Sequence, residues 1–203
     1  MNTMIKALSG GFDDPVFQSQ STFRSVMDAM ARPGTIAELA FPVNAPKPLS
    51  PAQGAIALTL CDQDTPVWLS PALVTSAVPA WLGFHAGADV TTERAAARFA
   101  FSDRASGLPP FSAFSSGSQD YPDRSATLVV EVESLQGGAP LELTGPGIAE
   151  TASISPLGLP KPFIALWEEN RNLFPRGIDL ILTAGKRLVC LPRSIRIHTG
   201  RPA

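Results

Sequence analysis

Asp62 and Asp64, two residues apart across Gln63 and followed by Thr65-Pro66, form an acidic pair whose spacing suits chemistry. Carboxylates so placed bind Mg²⁺ through oxygen or orient a ligand beside a strand end. The same Asp and Thr side chains equally satisfy loose backbone donors in a tight turn. His85, after Phe84 at the end of a helix or the start of a strand, is the imidazole best placed to act as a base. Its other reading is a buried ring satisfied by a backbone carbonyl. Arg24 stands beside the apolar stripe of a helix, where its planar fork reaches into a cleft or interface or makes an ordinary ion pair. Arg193 closes a late apolar strand. Converging on one cleft, these residues would bind a phosphate-bearing ligand, the arginines through paired hydrogen bonds and the carboxylates through a cation.

The familiar catalytic templates are missing. The chain has no GxGxxG turn, no GxxxxGK[ST] phosphate loop, no GxSxG elbow and no HExxH. His198, the other histidine, falls in the terminal strand or tail and reads as an exposed end residue. No metal site is expected.

Breakers mark the helices and strands that carry these residues. Asp14-Pro15 starts a helix over about 15–31, with Phe23, Val26, Met27 and Met30 as its apolar stripe and Pro33-Gly34 as its stop. A short strand over 35–39 and a proline-rich loop over 42–51 lead to a second helix after Ser50-Pro51, apolar nearly all round and therefore buried. Strand 66–69 is followed by one helix from Ser70-Pro71 to about Leu82, which Pro79 ends or kinks. Strands are expected at 97–101, 126–134 and 140–145, the last two joined as a hairpin through Gly137-Gly138. Between them the Ser-, Gly- and Pro-rich stretch 102–123 reads as a mobile excursion with one short helix near 107–115. LTGPGI at 143–148 lets backbone approach another chain or an anion closely, or is simply a tight turn. Lys161-Pro162 opens the last helix. FPRGIDLILTAGKRLVCLPR at 174–193 is a hairpin with turns at Gly177 and Gly185, and its Asp179 needs a partner, either nearby amides or Arg176.

Interleaved helices and strands followed by hairpins argue for an α/β protein with a mixed sheet flanked by helices. Its 203 residues suit one domain, 1–203, with a core of about 15–195. With 44% hydrophobic residues and a mean hydropathy of +0.11, the chain can bury a full core. Only 17% of residues are charged and the net charge is -2, so no electrostatic footprint for nucleic acid or an anionic membrane exists, and a thinly charged surface suits burial against other subunits. Apolar windows are interrupted well before the ~20 residues that span a bilayer. Cys61 and Cys190 lie inside apolar runs with no secretory leader before them, so a cytoplasmic protein with two reduced, buried thiols is expected.

Four blocks in order, FRSVMDAMARPG at 23–34, LTLCDQDTPVWL at 58–69, LTGPGI at 143–148 and the 174–193 hairpin, resemble the PhnH family, the H subunits of the bacterial carbon-phosphorus lyase core complex. GFH at 83–85 and the glycine pair at 137–138 also fit. The resemblance implies a fold like the large domain of pyridoxal-phosphate (PLP)-dependent transferases without the cofactor; beyond Lys47 only Lys161 and Lys186 occur, neither in a Schiff-base setting. It further implies a homodimer in isolation and assembly with the G, I and J subunits. The implied role is that of an accessory subunit, needed when a phosphonate displaces adenine from MgATP, with the chemistry assigned to the I subunit. The absence of a CxxC cluster fits a part that takes no role in the later radical cleavage. The alternative is a subunit that itself binds nucleotide or phosphonate, in a cleft or at a dimer interface, through Arg24, Asp62, Asp64, Thr65, His85 and Arg193.

Overall fold

The computed structural model describes residues 9–200; the ends of the expected 1–203 domain lie outside that range. Helix α1, Pro15–Ala31, begins as its sequence dictates: the Asp14 carboxylate accepts the Phe17 amide at 3.1 Å, and Pro15 occupies the first turn. Its buried face matches the expected stripe at Val26 and at Met30, which packs against the core, and differs elsewhere. Thr22, Val26 and Ala29 pack inward, while Phe23 is 46% and Met27 52% exposed. Two of the inward positions, Thr22 and Ala29, are small, so α1 lies close against helix α2, Pro51–Leu60, while Phe23 and Met27 are turned to the flank.

Helix α2 is buried almost completely. Ser50 and Gln53 form a reciprocal capping box, and Ala52, Ala55, Ile56 and Ala57 are fully buried. A Cβ at Gly54 would stand 2.6 Å from Val43 and 2.8 Å from Ala45, so only glycine admits the preceding loop. After strand β2, Val67–Leu69, the single helix expected to about Leu82 is two: α3, Pro71–Val74, and α4, Val78–Ala86. Pro79 has no N–H with which to continue the ladder, and it sits instead in the first turn of α4.

The main sheet has the order β1-β8-β7-β4-β3-β2. Its parallel half consists of β2, β3 (Phe99–Ser102), β4 (Thr127–Glu131) and β7 (Asp179–Ala184). The late hairpin closes it as expected: β7 pairs antiparallel with β8, Arg187–Leu191, around Gly185 at φ +64°, and β8 pairs with the short β1, Ala37–Glu38. The expected hairpin between 126–134 and 140–145 does not form. Strand β4 has parallel partners on both sides, so β5, Leu141–Thr144, joins a separate three-stranded sheet between β6, Ala152–Ile154, and β9, Arg196–Thr199. The Gly137-Gly138 turn packs on the chain beside β6, with the Gly138 amide donating to the Ser155 carbonyl at 2.7 Å.

Two cores flank the main sheet. In β7, Ile181 faces the core built with α1, α2 and α4, whereas Leu180 and Leu182 face a second core under the small sheet and helix α5, Phe163–Arg171. Helix α5 starts two residues after the expected Lys161, and its Trp167 donates to the Ile195 carbonyl at 3.2 Å. The 102–123 segment contributes Phe111 and Phe114 to the second core, edge-on to Trp167 and Trp68, and its only helical piece within the expected 107–115 is a 3₁₀ turn, Phe111–Ala113. LTGPGI makes its close approach within the chain: a Cβ at Gly147 would stand 2.2 Å from the Ala31 carbonyl oxygen at the end of α1.

The Gln53 amide nitrogen donates to the Ser102 carbonyl at 2.8 Å and the Val129 carbonyl at 3.1 Å, fastening α2 to the sheet. Replacing it by Leu removes both of these buried bonds, each worth about 0.5–1.5 kcal/mol. Gln53→Leu is therefore expected to lower the urea midpoint of unfolding with an unchanged m-value. A midpoint equal to that of the unmodified chain would show that these bonds do not hold the helix.

Candidate functional site

The residues singled out by type and spacing are held at separate places, most by visible local partners. The Asp62 carboxylate accepts the Asp64 amide at 2.9 Å and the Thr65 hydroxyl at 3.1 Å, and Thr65 in turn accepts the Asp62 amide. This is a closed turn at the amino end of β2. Arg193 lies at the amino end of β7, its guanidinium and backbone amide binding Asp179 and its Nη1 donating to the Pro122 carbonyl at 2.7 Å. Asp179 thus finds its partner in Arg193 and not in Arg176, because the chain leaving β8 runs antiparallel beside the start of β7. Strands β2 and β7 are three positions apart in the sheet, so the Asp62 turn and Arg193 are separated by roughly 14 Å. His85 ends α4 half-buried, its ring 5.1 Å from that of Trp81 and 4.9 Å from that of Phe84. Arg24 projects from the exposed side of α1. Among the described residues no group of three or more His, Cys, Asp or Glu could hold a metal ion.

A more organised polar cluster sits where ligands bind in open α/β sheets, outside the carboxyl ends of the parallel strands. Asp103 follows β3 and is only 3% exposed. Its Oδ2 accepts the Ser70 and Ser106 hydroxyls, each at 2.6 Å, and its Oδ1 accepts the amides of Ala105 at 2.9 Å and Ser106 at 3.2 Å. Burial pushes this carboxyl upward, but the hydrogen bonds from Ser106, Ser70 and Ala105 together outweigh it and hold Asp103 below its ordinary value. At the end of β4, Glu131 accepts the Thr183 hydroxyl and the Gly185 amide. Together with Lys47, Ser50 and Arg104, these groups border a crevice of about 370 Å³.

In this crevice both carboxylates accept donors of the chain itself, and the Ser70 hydroxyl donates directly to Asp103 with no imidazole between them. Burial also raises both thiols, Cys61 further through Asp62 and Cys190 through Asp179, which makes them poor nucleophiles. Gln53, Ser70, Asp103 and Glu131 were not singled out from the sequence. The signal available was their position: Ser70, Asp103 and Glu131 each stand at or just beyond the carboxyl end of a buried run, VWL, FAFS or LVV.

Fold and site together define a class: a mixed α/β protein whose best-formed polar cluster serves its own backbone, as suits a subunit that works in an assembly. The family described as bacterial phosphonate metabolism protein (PhnH) matches residues 10–198. A relative from Rhizobium meliloti (strain 1021), alpha-D-ribose 1-methylphosphonate 5-triphosphate synthase subunit PhnH, is 54% identical over 98% of this chain and 99% of its own length. A putative C-P lyase subunit protein, HtxG, from Stutzerimonas stutzeri is 35% identical over 40% of this chain and 42% of its own. The chain belongs to the PhnH family.

A depressed carboxylate adds stability that is present above its unfolded value, about 3.9, and lost as pH falls through the lower folded value. Asp103→Asn is expected to cost about 1–3 kcal/mol at pH 7, and the difference from the unmodified chain to shrink below about pH 4. Urea midpoints measured from pH 7 to pH 3 check this; a difference that stays constant across the range would mean that the charge of Asp103 is not what the four donors stabilise.

Proposed function

We propose that this chain is an accessory subunit of the carbon-phosphorus lyase core complex, needed when a phosphonate is transferred onto the ribose of MgATP with loss of adenine. The observation that carries this reading is the outward face of α1. Val16, Phe23 and Met27, at helical spacing i, i+7 and i+11, are 82%, 46% and 52% exposed, a run of large apolar side chains that a lone soluble chain has no reason to keep in water. Membership of the family and the 54% identity to a synthase subunit support the same reading. The partners are the G, I and J subunits, and in isolation the chain pairs with a second copy. The complex uses MgATP; this chain brings no PLP, and its sheet corresponds to that of the large domain of PLP-dependent transferases. Lys186, at the tip of the β7–β8 hairpin, is ion-paired with Glu38 at 2.7 Å. The assembly acts in the cytoplasm, and no helix among the described residues is long and apolar enough to cross a membrane.

Co-expression with the G, I and J subunits, purified through a tag on one of them, tests the reading. The unmodified chain is expected to co-elute, and Phe23→Glu combined with Met27→Glu to lower its recovery by roughly tenfold, the effect of losing an interface anchor. Far-ultraviolet circular dichroism of the isolated variant controls for folding. Failure of the unmodified chain to co-elute would refute the accessory role; full recovery of the folded variant would move the interface away from α1.

A further inference from the structure

A second cavity, of about 250 Å³, opens at the seam between α5 and β9. Arg171 reaches it from the last turn of α5, and Arg196 and His198 from β9, where a spacing of two places them on one face of the strand. Its apolar side is built from Ile164, Trp167 and Ile197, and the seam is fixed by the bond from Trp167 to the Ile195 carbonyl. The Arg171 guanidinium is held in place, 4.6 Å over the Phe174 ring, and its Nε is withdrawn from solvent with no hydrogen-bond acceptor. Nε is closed to a water-sized atom and hence to an anion's oxygen, so the donors Arg171 can offer at the cavity are its two Nη groups. Among the described residues, neither Arg171 nor Arg196 forms an ion pair, although Glu168 borders the same cavity.

We infer that this seam is a binding site for a small tetrahedral oxyanion, a phosphate or phosphonate group. Two guanidinium forks offer parallel donors to two of its oxygens, His198 offers a further N–H, and Glu168 accepts the hydroxyl proton of the singly protonated anion. The volume falls below the range of sites for drug-sized ligands and suits the head group alone, not a whole nucleoside triphosphate. The apolar side favours a substituent such as the methyl of methylphosphonate over the fourth oxygen of phosphate. This site does not depend on the assembly reading, and the isolated full-length chain suffices to test it.

Calorimetric titration with methylphosphonate and, separately, with inorganic phosphate is the experiment. The site predicts millimolar or tighter binding, weakened roughly tenfold or more by Arg196→Gln and by Arg171→Gln and unchanged by Arg94→Gln, whose guanidinium lies over Trp68 instead. Arg196 is an exposed strand residue, so its variant decides the matter even if loss of Arg171 unsettles α5. Preference for methylphosphonate supports a phosphonate ligand, and preference for phosphate supports the same site with free phosphate as its occupant. No binding of either at about 10 mM, or binding that Arg196→Gln leaves intact, overturns the inference.

Discussion

The structure depends on burying the amino end of a helix. Helix α2 is apolar around its whole circumference and enters the interior beginning at Ser50, so its polar end must be satisfied without water. The capping box meets part of that need, and the sheet meets the rest: the Ala52 amide donates to the Gly185 carbonyl at 2.9 Å, and the Gln53 side chain reaches the Ser102 and Val129 carbonyls. Strands β3, β4 and the β7–β8 turn are thereby tied to one helix end. At the carboxyl ends of the parallel strands, beside the crevice of about 370 Å³, Asp103 and Glu131 accept donors of this chain's own backbone.

That use of the crevice shapes the remaining electrostatics. Asp103 and Glu131 are spent on loop amides and hydroxyls, while Asp179 draws the chain after β8 back to the start of β7 through Arg193. Each of these carboxylates closes a connection that the sheet order requires. What they leave to the exterior is a thinly charged surface with one apolar helix face, the pattern of a chain completed by its neighbours.

Local features were legible in the amino-acid sequence because their causes are local. The Asp14-Pro15 and Ser50-Pro51 starts, the Gly177 and Gly185 turns and the β7–β8 hairpin each follow from a few adjacent residues. The inward face of α1 was legible only in part: Val26 and Met30 of the expected stripe pack on the core, whereas Thr22 and Ala29 are placed there by the close approach of α2 and not by their own hydrophobicity. Nor was the fate of β4: a glycine pair after a strand suggests a hairpin, but both neighbours of β4 arrive from distant sequence, β3 before it and β7 after it. The polar cluster escaped for the same reason, because the donors to Asp103 include Ser70, thirty-three residues away. Among the residues chosen for chemistry, the Asp62 turn has the tight-turn partners that its own sequence offered, whereas the partner of Arg193 could be named only once the pairing of β7 with β8 was known.

A chain that serves its complex through assembly needs no acid–base groups of its own. Adenine release from MgATP and methylphosphonate, followed in the complex reconstituted with the combined Asp62→Ala, Asp64→Ala and His85→Ala chain, separates that role from a catalytic one. An assembly role leaves the rate within about twofold of the unmodified complex, whereas loss of a general acid or base lowers it by roughly 10²–10⁴-fold. A fall of that size, in a complex of unchanged composition, would assign the chemistry to this chain.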